Sequence, residues 1–396
     1  MYSPIPSNID VALISPFKGE HIGSILRPHA LIEARKSHDA GELSSEALKQ
    51  LEDSCIANVV KFQRDLGFRA VTDGEYRRHM FFNGFYDNLE GITYVPEPKL
   101  DIFAAYLPYV DKVRAKGFSQ PTYIATGKIR RTKPCYVPWF EYLAKQVPAE
   151  EIKHVKMNMA SPEWYHFRHM SQHAYTSEAY ASDDEYFADI ATAFRAELAD
   201  LYAAGCRNVQ IDGPVLTFFC SPGITSKMRE MGLDPDSLLD RYIALYNDCL
   251  KDRKPDMKIG WHLCRGNFKG GIHYAEGGYD PIAEKVFGKI DVDVFYLEYD
   301  TPRTGTFDPL RFVPTNKGVV LGLISSKDPE LEDPDYIIAR MKEAAAAMGD
   351  LEMKRISVSL QCGFASHFEG NNISWEEMEA KLKLVIQVAK KVWGTI

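Results

Sequence analysis

The chain has 396 residues, of which 45% are apolar and 12% aromatic, so it can bury a large core and is not a disordered protein. Its 47 basic and 55 acidic residues are spread along the sequence and give a formal net charge of −8. Without a basic stripe, the chain is not expected to bind nucleic acid. No run approaches the roughly 18 apolar residues of a membrane span, so no membrane partner is expected.

Seven cysteines are scattered over the chain, an odd count that differs from the dense, even sets of secreted disulfide scaffolds. A reducing compartment fits this usage best. The amino terminus does not combine a basic segment, an apolar stretch and small cleavage-site residues. We therefore expect a cytoplasmic protein.

Short apolar runs alternate with longer amphipathic stretches. The apolar runs predict eight strands, which end near Gly23, Asp73, Met159, Asp212, Cys264, Glu298, Ile324 and Cys362. Apolar residues spaced i, i+3, i+4 predict helices at 44–66, 184–204, 236–250, 335–348 and 375–392. Eight β-then-α units predict an α/β fold, a (β/α)₈ TIM barrel, with residues 1–396 in one domain and catalytic groups at the carboxyl ends of the strands.

One segment interrupts this alternation after the second strand. Residues 91–138 are rich in Pro, Tyr and Lys, with a hairpin pattern around 123–130. Long structureless connections are uncommon in compact domains, so this insertion is expected to act as a lid or a binding excursion.

Residues of the types that bind metals lie at the ends of three apolar runs. His262 and Cys264 are alternate residues of one predicted strand, so their side chains share a face with Cα atoms about 7 Å apart. Glu298 and Cys362 follow two later runs. Each residue alone could be an ordinary core residue. Together, an imidazole, two thiols and a carboxylate could close on one tetrahedral Zn²⁺ ion.

Acidic side chains follow two other apolar runs. Glu75 and Asp212 at a barrel mouth suit the recognition of an ammonium group, whereas the alternative is that Asp73 or Asp212 caps the following helix. At the first strand end, Gly23 lets a ligand approach the backbone and Ser24 can donate a hydrogen bond.

These motifs occur along the chain in a fixed order: Ile22-Gly23-Ser24, Gly74-Glu75, Gln210-Ile211-Asp212, His262-Leu263-Cys264, Glu298 and Cys362-Gly363. As a set they resemble the catalytic half of cobalamin-independent methionine synthase. The chain is more similar still to short, single-barrel relatives of that enzyme, through Leu26-Arg27-Pro28, Arg265-Gly266-Asn267-Phe268, Leu297-Glu298-Tyr299-Asp300 and Gln361-Cys362-Gly363-Phe364-Ala365-Ser366. The resemblance covers residues 19–393.

The resemblance implies a role for each matching residue. It assigns Zn²⁺ to His262, Cys264, Glu298 and Cys362. It assigns the amino group of an amino-acid thiol to the catalytic-site carboxylates Glu75 and Asp212, and the carboxylate of that thiol to Ile22 and Ser24. Coordination to zinc would deprotonate the thiol and leave a thiolate that can attack carbon.

Three features depart from the synthase pattern. The full-length synthase has a second barrel outside the resemblance, and residues 323–327 lack the histidine that the family uses as an acid towards folate. The alkyl donor therefore stays open. Gly213 stands where the synthase carries a glutamate, which leaves the acceptor thiol open as well. Other residues that could supply a proton are Lys327, His367, His166, His169 and His173.

The first hypothesis is a zinc-dependent thiol alkyltransferase, a methyltransferase that makes methionine from homocysteine and methyl-folate or another small methyl donor. A second is thiol-epoxide transfer or carbon-sulfur cleavage, as in epoxyalkane:coenzyme M transferases. Glu75 and Asp212 favour an amino-acid thiol because they would repel a sulfonate.

Two further classes fit less well. A binding or regulatory barrel with structural zinc usually gathers its ligands from loops close in sequence. A zinc hydrolase would favour histidine and carboxylate ligands over two thiolates. The expected partners are therefore a small homocysteine-like thiol and an alkyl donor, and the sequence leaves a homo-oligomer open.

Overall fold

A parallel sheet forms the centre of the molecule. The computed structural model describes residues 17–107, 110, 121–268 and 272–395. The strands of this part of the chain are β1 (Glu90–Val95), β2 (Thr122–Arg130), β3 (Lys156–Ala160), β4 (Asn208–Asp212), β5 (Lys258–Leu263), β6 (Val294–Glu298), β7 (Gly318–Ile324) and β8 (Ile356–Leu360). Strands β3 to β8 form one parallel sheet in sequential order. Apart from Lys258, every residue in these six strands is buried, because a parallel sheet is covered on both faces.

Two short segments, at residues 18–20 and at Val71, lie next to the outer strands of this sheet and close it into a ring. Next to β8, the Val358 N–H donates to the Lys18 carbonyl and the Glu20 N–H donates to the Val358 carbonyl, both at 2.9 Å. Next to β3, the Lys156 N–H donates to the Val71 carbonyl at 2.9 Å. The predicted α/β barrel of eight segments is therefore confirmed.

The strands predicted to end near Gly23 and Asp73 are wrong as strands: the two segments complete the ring through isolated backbone hydrogen bonds and form no ladder. Side-chain hydrogen bonds join them where a ladder was expected: the Thr72 hydroxyl donates to the Gly23 carbonyl at 2.7 Å, and the His21 ring lies 3.0 Å from the Ala70 carbonyl. The apolar pattern predicted their position, but backbone pairing depends on neighbours that the local sequence does not show.

The helices of the described chain surround the sheet. They are α1 (His29–Asp39), α2 (Ser45–Leu66), α3 (Val137–Ala144), α4 (Trp164–His173), α5 (Asp183–Ala203), α6 (Pro222–Glu230), α7 (Pro235–Leu250), α8 (Asp280–Lys289), α9 (Pro334–Ala347) and α10 (Trp375–Trp393). All five predicted helices are confirmed to within one residue at each end. Ser44 caps α2, for example, and Gly67 ends it with a φ of 103°. Within the described ranges, no helix is long and apolar enough to cross a bilayer.

The hairpin predicted around 123–130 is wrong in its position: these residues form the single strand β2, which pairs with the distant strand β1 in an antiparallel ribbon. Strand β2 also pairs with the connection between α4 and α5: the Ala125 N–H donates to the Ala174 carbonyl at 3.0 Å, and the Thr176 N–H donates to the Ala125 carbonyl at 2.9 Å. Positions 108, 109 and 111–120 of the insertion, and positions 1–16 of the predicted domain, lie outside the described residues. A lid role for the insertion stays a prediction.

Candidate metal centre

Three predicted metal ligands meet at the carboxyl ends of the barrel strands. His262 lies in β5, Cys264 directly follows that strand, and Cys362 follows β8. One ligand atom from each residue lies within 4.8 Å of the others, and all three residues are at most 5% exposed. The barrel thus brings Cys362 to a pair of residues that is distant from it in sequence.

The donor atoms of this group fit a zinc ion. Neither ring nitrogen of His262 makes a hydrogen bond of ordinary geometry, although both are buried, and the Cys362 sulfur is near enough to raise the pKa of the ring. Leaving such a group unpaired costs free energy, and a bound metal would satisfy one of the two nitrogens. Imidazole and thiolate are the ligands that zinc prefers in proteins.

Charge within the group is shared unequally between the two sulfurs. The Cys264 thiol, by donating to Cys362, lowers the pKa of Cys362 well below the ordinary thiol value, and His262 adds to this effect. The same hydrogen bond, together with burial, raises the pKa of Cys264. Burial lowers the pKa of His262, but Cys362, Asp212 and Glu298 outweigh it and raise that pKa. The arrangement favours one thiolate beside an imidazole.

Glu298, the fourth predicted ligand, lies beside this group rather than in it. It ends β6, is fully buried, and accepts hydrogen bonds from the Arg265 backbone N–H at 2.5 Å and from the Arg303 guanidinium. Burial raises its pKa, but the charges of Lys327, Arg303 and Arg265 outweigh burial and lower the pKa below the usual value. Glu298 is therefore an ionised carboxylate with two protein partners, and its role as a metal ligand stays a prediction.

The carboxylate of Asp212 is held at the end of β4 by two amide side chains. Asn158 donates to one of its oxygens at 2.9 Å and Gln210 donates to the other at 2.7 Å. Both amides also donate to the Ile22 carbonyl, at 2.9 and 2.7 Å. Sequence reasoning missed Asn158, although a polar residue within the apolar run of β3 was the signal for it. Asp212 is positioned by these amides and does not cap a helix.

Glu75 is the second buried carboxylate of the site, and its Oε2 atom has no hydrogen-bond partner. Its φ of 62° is stabilised locally, because the Glu75 N–H donates to the Asp73 side chain at 2.8 Å. Burial, with a smaller contribution from the charge of Asp212, raises the pKa of Glu75 to about 8 against the opposing charges of Arg78 and Arg27. A cationic ligand group would satisfy the unpaired oxygen.

One cavity joins these residues. It is lined by Ile22, Ser24, Glu75, Asp212, His262, Cys264 and Cys362. The Ser24 hydroxyl oxygen accepts from the Ala365 N–H at 3.2 Å, so its hydrogen can donate to a ligand. Aromatic side chains form an apolar wall of the same cavity: Phe81, Phe82, Trp164, Phe167, Phe218 and Phe268.

Among the proton donors considered, Lys327 lies near the group. Its Nζ donates to the Gly266 carbonyl at 2.8 Å, and its charge lowers the pKa values of both Cys362 and Glu298. In contrast, His166 and His169 have structural partners. His166 lies 2.8 Å from the Tyr242 hydroxyl and 3.0 Å from Asp183, while His169 lies 2.7 Å from the Thr122 hydroxyl and 3.0 Å from the Ile102 carbonyl.

Ser24 packs directly against the backbone of Gly363, where a larger residue would not fit. A Cβ atom at position 363 would lie 1.9 Å from the Ser24 Oγ atom. We expect Gly363→Ala to displace Ser24 and to lower the free energy of unfolding by about 1–3 kcal/mol, as overpacking does elsewhere. Urea denaturation measures this change.

Gly288→Ala is the matched control, since position 288 is in helix α8 and has no heavy atom within 4 Å of an added Cβ. Alanine there should leave stability unchanged or raise it slightly. Equal stability of the two variants would show that Gly363 is not constrained by Ser24.

Comparison with known proteins agrees with this geometry. Residues 172–391 match the family model of the cobalamin-independent synthase catalytic domain. The chain is 34% identical to the uncharacterized protein YxjH of Bacillus subtilis, over 96% of this chain and 95% of the relative. It is 24% identical to a 5-methyltetrahydropteroyltriglutamate–homocysteine methyltransferase of Rhodococcus jostii, over 94% of this chain but only 42% of that enzyme.

A solved structure shares the whole fold. The putative vitamin-B12-independent methionine synthase of Listeria monocytogenes superposes with a TM-score of 0.72 at 30% identity, covering 96% of this chain and 99% of that one. The resemblance inferred from the motifs is thus confirmed: the chain belongs to the family of cobalamin-independent methionine synthase catalytic domains.

Proposed function

We propose that the protein is a zinc-dependent methyltransferase that methylates the thiol of homocysteine to give methionine. The observation that carries this proposal is one buried cavity in which a His-Cys-Cys group adjoins two carboxylates. Asp212 and His262 are register partners on the neighbouring strands β4 and β5. A ligand with a thiol and an ammonium group on one short carbon chain could therefore reach both.

Zinc held by His262, Cys264 and Cys362, with Glu298 as the predicted fourth ligand, would keep an incoming thiol deprotonated near neutral pH. The protein's own residues would bind and orient the substrate. Glu75 and Asp212 would hold its ammonium group, and Ser24 with the Ile22 segment would hold its carboxylate.

Methyl transfer would be a direct displacement. The substrate sulfur forms a bond to the methyl carbon as the bond from that carbon to the donor breaks, and the leaving atom of the donor takes up a proton. We assign this proton to Lys327, because its Nζ atom is held by the Gly266 carbonyl and its charge acts on Cys362. The aromatic wall would exclude water, which could otherwise compete as a nucleophile.

The donor within this proposal is methyl-folate or another small methyl donor. The name of the Rhodococcus enzyme supports homocysteine and a methylated folate, although the chain spans less than half of that enzyme. Thiol-epoxide transfer is the competing function. Mass spectrometry of the products formed from homocysteine with a panel of methyl donors and epoxides separates the two.

The metal is tested by removing its ligands. Cys264→Ser and Cys362→Ser should each lose stoichiometric zinc and thiol methylation together, because a hydroxyl is a much poorer zinc ligand than a thiolate. Elemental analysis and circular dichroism measure metal content and folding. Cys55→Ala, on helix α2, is the control and should keep both zinc and activity. Turnover by a folded, zinc-free variant would contradict the proposal.

The ammonium site is tested at Asp212. Asp212→Asn should raise KM for homocysteine about tenfold or more, because a charged hydrogen bond is lost, while zinc content stays unchanged. Steady-state kinetics with homocysteine and with a simple thiol that lacks the amino group measure the effect. If the simple thiol reacts as well as homocysteine in the unmodified protein, Asp212 and Glu75 do not recognise an ammonium group.

The protonation state of Glu75 provides an independent test of the ammonium site. With a pKa of about 8, Glu75 is mostly neutral at pH 7, and an ammonium group bound beside it would favour the ionised form. Methionine has no thiol proton, so its binding at pH 7 should release up to about one proton from Glu75. Calorimetry in buffers of different ionisation enthalpy measures this release. It should shrink as the pH rises above 8 and disappear in Glu75→Gln; proton uptake on binding would contradict the assignment.

A further inference from the structure

A serine and an asparagine form a chain of hydrogen bonds that ends on one of the two cysteine sulfurs. Ser366 Oγ lies 3.8 Å from Cys362 Sγ, within hydrogen-bond range for sulfur. Asn267 Nδ2 lies 3.0 Å from Ser366 Oγ and 2.8 Å from the Gly363 carbonyl oxygen. Asn267, Cys362, Gly363 and Ser366 all line the substrate cavity.

The direction of these hydrogen bonds follows from the Gly363 carbonyl. A carbonyl oxygen only accepts, so the side of the Asn267 carboxamide that faces it must be the nitrogen. The same nitrogen then donates to the Ser366 oxygen. Cysteine reacts with an electrophile as the thiolate, which can only accept, so in the reactive form of Cys362 the Ser366 hydroxyl is the donor of this hydrogen bond.

Asn267 is held in this orientation within the protein. It is 8% exposed, and the Gly363 carbonyl that fixes it also accepts from the Ser326 hydroxyl at 3.0 Å. The Ser366 backbone is fastened as well, because its carbonyl accepts from the Phe81 N–H at 2.9 Å. The hydroxyl is therefore pre-positioned against the sulfur.

We propose that Ser366, oriented by Asn267, is a positioning residue that protects Cys362 from alkylation. This inference rests on the proposed function, in which an alkyl donor enters a cavity that holds three sulfurs. Only the sulfur of the substrate should react. A hydrogen bond stabilises the lone pairs of the Cys362 sulfur and makes it the weaker nucleophile, whereas the substrate sulfur has no such donor from Ser366.

The test uses iodoacetamide as the electrophile on the full-length, zinc-loaded protein. The cysteine sulfur forms a bond to the methylene carbon and iodide leaves. Peptide mass spectrometry follows the alkylation of Cys362, with Cys264 as the internal reference. In the Ser366→Ala variant, iodoacetamide should alkylate Cys362 about tenfold faster than in the unmodified protein, while the rate of alkylation at Cys264 stays the same.

Two variants test the cause of the effect. Ser366→Thr keeps the hydroxyl and should restore the slow rate. Asn267→Ala removes the group that orients Ser366 and should accelerate Cys362 to a smaller extent. Ser326→Ala is the matched control: it removes a hydroxyl that contacts the same Gly363 carbonyl, and it should leave the rate at Cys362 unchanged.

Unchanged alkylation of Cys362 in Ser366→Ala, or equal acceleration at both cysteines, would overturn the inference. Zinc content is measured on the same samples, and the series is repeated after chelator treatment. Absence of zinc from the unmodified protein would refute the proposed function alone, because the contrast between Ser366→Ala and Ser366→Thr can still be read on metal-free protein.

Discussion

Parallel strand register is the constraint on which the site depends. Because β4 and β5 run in the same direction, their carboxyl ends meet at one edge of the barrel, and the pairing places Asp212 beside His262. Closure of the ring next to β8 then brings Cys362 to the same edge. A carboxylate and the His-Cys-Cys group thereby share one cavity without any local sequence link between them. Pairing of the barrel strands, rather than the loops alone, therefore sets the relative positions of Asp212, His262 and Cys362.

Buried charged groups need hydrogen-bond or ion-pair partners, and the charged residues of this site have such partners to different extents. Asp212 has an amide donor for each oxygen, and Glu298 has Arg303 and a backbone N–H. Glu75 keeps one oxygen without a hydrogen-bond partner, and its pKa is correspondingly high. The His262 ring nitrogens likewise make no hydrogen bond of ordinary geometry. Both residues line the cavity, so their unsatisfied atoms are ones that a bound ligand could reach.

The residues around the cysteines add a chemical requirement to this picture. A site that activates one sulfur for alkylation also exposes its own thiolates to the same electrophile. In the proposed reaction, hydrogen bonds to the protein sulfurs, such as the one from Ser366, would make those sulfurs weaker nucleophiles than the substrate sulfur. Family membership supports the general chemistry, whereas the proposed roles of Asn267 and Lys327 concern how this chain would carry it out.

The sequence by itself determined the alternation of strands and helices, the helix ends at Ser44 and Gly67, and three of the residues that converge, because periodicity, caps and residue chemistry are local properties. Only the tertiary structure decided that the first two segments pair through side chains, that Asn158 positions Asp212, and that Arg303 takes an oxygen of Glu298. Each of these contacts depends on which side chain lies opposite across the barrel. That choice is made by packing between distant segments, which no window of sequence contains.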